Sequence, residues 1–244
     1  MKSSVVILSF AYLLSLSAVH SREVVGMVLP FKEVVVSAAT ENTVQVMSVE
    51  IGDTVKEGDV LAQLDSRIHE LQVKRYEKVL LMSNSTYQST SQLVKDDIIS
   101  REEALKAEIE RDLAKNQLEV ANVELSKQKV LSPLDGTVVE ILKDEGETVK
   151  KAEDLFVIIN IDKVFLQLFL SAGDVYSIKQ GQEVDVHFPI MPSKKKFKGQ
   201  VYFIDPRIDA TSGLLRTRIL IPNPTHEIRA GMRGLVTLPE KEAK

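Results

Sequence analysis

The sequence contains no cysteine and no tryptophan, and only four of its 244 residues are histidine. Without cysteine there is no disulfide, no thiol nucleophile and no lipidated N-terminal cysteine. His20, His69, His187 and His226 lie far apart, with no short metal-ligand spacing between them. A glycine-rich phosphate loop and a serine nucleophile elbow are also missing, and the methionines are scattered. These absences lead us to expect no enzyme, no catalytic residue, no cofactor and no metal. The formal charge of −4, without a basic stripe interleaved with aromatics, argues against nucleic acid as a partner. Lys194-Lys195-Lys196 with Lys198 is the one basic cluster and reads as a solvated loop. Long apolar runs are missing too, except Val5 to Leu16, which follows a single lysine and precedes the small-residue stretch Ser17 to Ser21. Residues 1–21 therefore read as a secretory signal cleaved after Ser21, the alternative being a retained N-terminal anchor. The run is too short to span a bilayer comfortably.

What is present is a motif that occurs twice. Thr43 to Asp65 aligns without a gap on Thr137 to Ile159, with seven identities in 23 positions. Each copy alternates apolar and polar residues into a turn at Gly52 or Gly146, then carries a second apolar run, Val60 to Leu64 or Leu155 to Ile159. Gly58 and Gly136 are read as further turn positions. Neither half has an apolar face large enough to stand alone, so the two must pack on each other. Anything inserted between Asp65 and Pro133 has to leave and return at one place, as a hairpin does.

From Ser66 to Val130 glycine and proline nearly vanish, and Glu, Lys, Gln, Leu and Ala dominate. Ser100 with Glu103 forms a capping-box pattern that starts a second helical arm. Behind it Leu105, Ile109, Leu113, Ala114, Leu118, Ala121 and Leu125 form an apolar stripe expected to pair with the first arm, while Val120 and Val123 lie off it. The first arm is supported by Ile68, Leu71, Val79, Leu80 and Met82, but Ser83 to Gln92 is polar and a weak helix former. Lys95-Asp96-Asp97 reads as the bend. After Asp162, five β-rich runs punctuated by Gly and Pro read as a small antiparallel barrel.

The expected fold is mainly β with a helical hairpin insert. It comprises an N-terminal strand (22–32), a split lipoyl-like, barrel-sandwich hybrid domain (33–65 and 131–162), an antiparallel coiled-coil hairpin (66–130), a β-barrel (163–238) and a tail (239–244).

The spacing Val-x-x-Gly-Asp-x-Val-x-x-Gly-Asp-x-Leu ending at Leu61, Leu131-Ser132-Pro133-Leu134-Asp135-Gly136 before the second copy, and the later Ile204-Asp205-Pro206, Asn223-Pro224 and Ala230-Gly231-Met232 carry a resemblance. Together they resemble the periplasmic adaptor family, also called membrane fusion proteins, of the HlyD-like and resistance-nodulation-division types. The resemblance implies a non-catalytic subunit in the periplasm, associated with the inner membrane. It would link an inner-membrane transporter to an outer-membrane channel and assemble as a homo-oligomer, a trimer or hexamer ring. Many members dock on the channel through an Arg, a Leu and a Ser at the hairpin tip; here Leu93 and Ser100 fit, and the arginine position is Ser89. Little of the usual membrane-proximal domain is expected after the barrel. Two other readings stand beside this one: a scaffold with no transport role, and a lipoyl or biotinyl carrier. The carrier reading lacks its lysine, because the junction reads Asp65-Ser66.

Overall fold

A computed structural model describes residues 22–238 apart from 172, 193 and 194. The expected signal over residues 1–21, Lys194 and the tail 239–244 lie outside the described residues. The chain divides into two compact units, one formed by Pro30–Asp162 and the other by the residues before Pro30 together with those from Lys163 onward.

Within Pro30–Asp162 the repeat becomes visible as paired strands. β2 (Asn42–Met47), β3 (Thr54–Val55) and the start of β4 (Val60–Leu64) match β6 (Gly136–Ile141), β7 (Thr148–Val149) and the start of β8 (Asp154–Ser171) when 94 is added to each number. β2 pairs β4, which pairs β5 (Lys129–Leu131), and β6 pairs β8, so each half forms its own ladder. The halves also exchange strands reciprocally: β2 pairs β7 through Asn42↔Val149 and Thr43↔Thr148, and β6 pairs β3 through Gly136↔Val55 and Thr137↔Thr54. The same symmetry orders the core. Val44 and Val138, Val55 and Val149, Leu61 and Leu155, and Leu64 and Ile158 are four equivalent pairs, all buried in one cluster. At roughly 25 cal/mol per Å² of apolar area removed from water, neither half could bury these faces without the other.

The inserted segment forms α1 (Arg67–Lys95) and α2 (Arg101–Ser126). The polar stretch Ser83 to Gln92 does not break α1, contrary to its weak propensity. Its hydroxyls bond back along the helix, Thr86 Oγ1 to the Met82 carbonyl at 3.1 Å and Thr90 Oγ1 to the Thr86 carbonyl at 2.6 Å.

The other unit is a closed barrel. β1 (Arg22–Ser37), β12 (Arg233–Leu238), β9 (Glu183–His187), β10 (Lys196–Ile204), β11 (Leu214–Pro222) and β8 follow one another, and β8 pairs back to β1. The sequence shows runs at Val24 to Val28 and Glu33 to Ser37 as separate strands. The structure makes them one, and its first residues run along β12 from Arg22↔Leu238 to Met27↔Arg233, closing the barrel. Closure removes the edges a five-stranded sheet would expose. The sequence motifs after Ile204 are loop clamps. Asp205, 7% exposed, accepts from the backbone N–H of Arg207 and from the guanidinium groups of Arg207 and Arg216. Buried Asn223 donates to the Ile228 carbonyl and accepts from the Ile228 N–H. The basic cluster is charge-paired: Lys195 with Glu227, and Lys196 and Lys198 with Asp185.

Candidate docking site on the helical hairpin

The two helices meet along heptad positions. On α1 these are His69, Val73, Tyr76, Leu80, Ser83, Tyr87, Thr90 and Val94; on α2 they are Ala104, Ala107, Arg111, Ala114, Leu118, Ala121 and Leu125, all buried or half-buried. Ala107, Ala114 and Ala121 are the fully buried residues of α2. The expected stripe is therefore corrected in part: Ala114, Leu118, Ala121 and Leu125 lie in the seam, Leu105, Ile109 and Leu113 do not, and alanine takes the three most buried positions of α2. Arg111 adds its guanidinium over the Tyr87 ring at 4.0 Å.

The larger residues face outward. Leu105, Ile109, Leu113, Val120 and Val123 keep 49–62% of their surface exposed. Ile109, Leu113, Asn116, Val120 and Val123 repeat at intervals of four and three, a second heptad row on the outer side of α2. Beside the tip, Ser100, Leu105, Lys106 and Ile109 line an open depression of about 540 Å³. The helices also differ in charge. α1 has five basic side chains against two acidic, and α2 has four basic against seven acidic. Lys127 is the main cause that holds the Glu124 carboxyl below its usual value, and Asp112 that which raises the Arg111 guanidinium.

The tip is a tight reversal. The Leu93 carbonyl accepts from the Ile98 N–H at 2.9 Å, and Asp97 adopts a φ of 56°. Ser100 is the N-cap of α2 in extended conformation, its Oγ accepting from the Glu103 N–H at 3.2 Å. Leu93 is 38% exposed and Ile98 more so. Ser89 is exposed one turn before Leu93.

The turn residues divide. Gly52, Gly58 and Gly146 have φ of 100°, 90° and 86°, the left-handed region that favours glycine. Gly136 is not a turn residue. It opens β6, where an added Cβ would lie 2.4 Å from the Ile159 carbonyl oxygen. The place equivalent to Gly58 is Ala152, at φ 64°.

Residues 32–160 match the model of the CzcB-like barrel-sandwich hybrid domain, and residues 164–242 match the CusB-like β-barrel domain. The chain belongs to the periplasmic adaptor, or membrane fusion protein, family. One member, the antibiotic efflux pump periplasmic linker protein ArpA of Pseudomonas putida, is 26% identical over 195 residues, 74% of this chain and 53% of that protein. The chain thus spans about half the length of that adaptor. Among solved adaptor structures, a MacA–MexA chimera carrying the Pseudomonas aeruginosa MexA α-hairpin superposes with a TM-score of 0.79 at 24% identity, covering 90% of this chain and 80% of that one. The membrane fusion protein Spr0693 of Streptococcus pneumoniae R6 gives 0.72 at 20% identity, covering 91% and 100%. These likenesses show the fold. Of the outer row on α2, Val120 and Val123 are legible in the sequence as lying off the main stripe, whereas Ile109 and Leu113 read there as part of the seam because the two heptad rows interleave.

Proposed function

We propose that this protein is a non-catalytic adaptor of the cell envelope that links an inner-membrane transporter to an outer-membrane channel in an efflux or secretion system. The observation that carries the reading is the hairpin, with an apolar row left uncovered along α2 and a tight apolar tip. An unpartnered heptad row fits a second copy of the chain, and charge says which side of it. Gln128 beside His69 and Arg111 over Tyr87 define the height of one helix against the other. With hairpins side by side at that height, Glu119 and Glu124 of one copy come level with Lys78 and Lys74 of the next. Head-to-tail contacts of this kind form a ring where the rotation closes, and the assembly proposed here is a trimer or hexamer ring around a conduit.

At the tip, Leu93 supplies the apolar contact for the channel, and Ser100 serves as cap and docking hydroxyl. Ser100→Ala costs about 1 kcal/mol as a lost cap and cannot separate folding from docking. Leu93 is the better probe. Leu93→Asp should abolish transport while the protein stays folded and abundant, and Ser89→Arg should strengthen channel pull-down by adding a charge-assisted donor. Unchanged transport in the Leu93 variant rules out docking through this tip.

A further inference from the structure

The base of the hairpin carries a side-chain relay that docking does not use. Its polarity is set at one end by backbone. The Thr43 N–H donates to Asn42 Oδ1 at 2.8 Å, and Asn42 Nδ2 donates to the Asp65 carbonyl at 2.8 Å, so the amide of Asn42 cannot be turned round without opposing like groups. The same Nδ2 donates to Gln128 Oε1 at 3.0 Å. Gln128 therefore presents its amide nitrogen at the other end, where it donates to the Glu124 carbonyl at 3.3 Å and faces His69 Nε2 at 3.4 Å. A nitrogen that can only donate requires a lone pair opposite it. His69 Nε2 must accept, and the ring proton sits on Nδ1, which is buried without a hydrogen-bond partner.

We infer that His69 is a proton-operated latch, closed while the imidazole is neutral and opened when Nε2 takes up a proton. The imidazolium sets an N–H against the Gln128 amide N–H, and Asn42 prevents Gln128 from presenting its oxygen instead. Carboxylates nearby receive the charge. Asp65, tied to Arg67, and Glu70, bonded to Ser66, lie on the α1 side; Glu124, tied to Lys127, lies on α2. Lys151 acts on Glu124 from the turn after β7, and β2 contributes only the neutral Asn42. Asp65 and Glu124 are held low first by Arg67 and Lys127, with the His69 charge a smaller cause for both. The imidazolium moves toward them and leaves Gln128. That residue is 1% exposed and its carbonyl accepts from the Leu64 N–H, so the displacement reaches β4. Acidification thus loosens the ends of both helices where they enter the sandwich.

Long-range proton–nitrogen NMR on the histidine-labelled full chain tests this directly, with His69→Gln identifying the resonance. At about pH 8 the His69 signals should show a protonated Nδ1 and a bare Nε2. As Nε2 protonates on acidification, the Glu70 and Gln128 backbone amides should lose hydrogen-exchange protection beyond the intrinsic pH effect, and His69→Gln should not show this loss. Gln128→Glu supplies an acceptor opposite Nε2, so protection should persist on acidification. A proton on Nε2 at about pH 8 would overturn the inference, and so would protonation of His69 with protection unchanged. Both are read on the unaltered protein once His69→Gln has identified the resonance, and neither depends on the adaptor role.

Discussion

Gly58 and Ala152 occupy the same turn in the two halves, and the second places a methyl group at a φ of 64°. A left-handed conformation costs an L-residue about 1–2 kcal/mol, part of which glycine gives back through the greater freedom of its unfolded chain. Ala152→Gly should therefore stabilise by about 0.5 kcal/mol, and Gly58→Ala, with open space around its Cβ, should cost about 1 kcal/mol in denaturant unfolding. Opposite signs would contradict this account of the turns. Gly136→Ala should cost more than either, because there the added carbon meets backbone. Asp205 supplies a pH test. Hydrogen bonds from the Arg207 side chain, then from its backbone, with a smaller contribution from Arg216, lower its carboxyl from 3.8 to about 2. A depressed folded value means that its contribution is present above the unfolded value and is lost as pH falls through the folded one. Stability should fall as pH drops from about 4 to about 2, and Asp205→Asn should flatten that limb while lowering stability at neutral pH.

Among the elements, α2 carries the most information because it holds two apolar rows. The reading from sequence merged Leu105, Ile109 and Leu113 with Ala114, Leu118, Ala121 and Leu125, since bulk is what hydrophobic patterning weighs. The structure buries Ala107, Ala114 and Ala121 most deeply, with Leu118 and Leu125 half-buried between and beyond them, and leaves Leu105, Ile109 and Leu113 outside. The two-copy sandwich was legible because its halves share strand lengths and core positions, and the bend at Lys95-Asp96-Asp97 because it is short, polar and just upstream of the cap at Ser100, although Lys95 itself ends α1. The relay through Asn42, Gln128 and His69 was not legible, because its members are 27 to 86 residues apart and neutral. The two rows predict different outcomes. Ala114→Leu should overpack the seam and cost about 1–3 kcal/mol. Ile109→Glu with Val120→Glu should leave stability within about 0.5 kcal/mol per site, as for exposed positions, and abolish crosslinking between copies in cells. Lys78→Glu should weaken the same crosslink, and adding Glu119→Lys should restore it. Crosslinking that survives the double glutamate variant would mean that copies do not meet through the outer row of α2.

For the whole molecule, the nonlocal pairings matter most. Residues 22–29 return to close a barrel whose other strands begin at Lys163, and no local period in the sequence announces that. Family membership accounts for the architecture, and no helix among the described residues is long and apolar enough to cross a membrane. In the proposed reading the chain acts through surfaces that stay exposed in the single chain: the outer row on α2 for its own copies, and the tip for another protein. The most direct test places a photo-crosslinking residue at position 93 in the full chain, in cells that make the cognate transporter and channel. The account predicts a crosslink to the outer-membrane channel that disappears when the channel is deleted. Active transport with no channel crosslink from position 93 would contradict it.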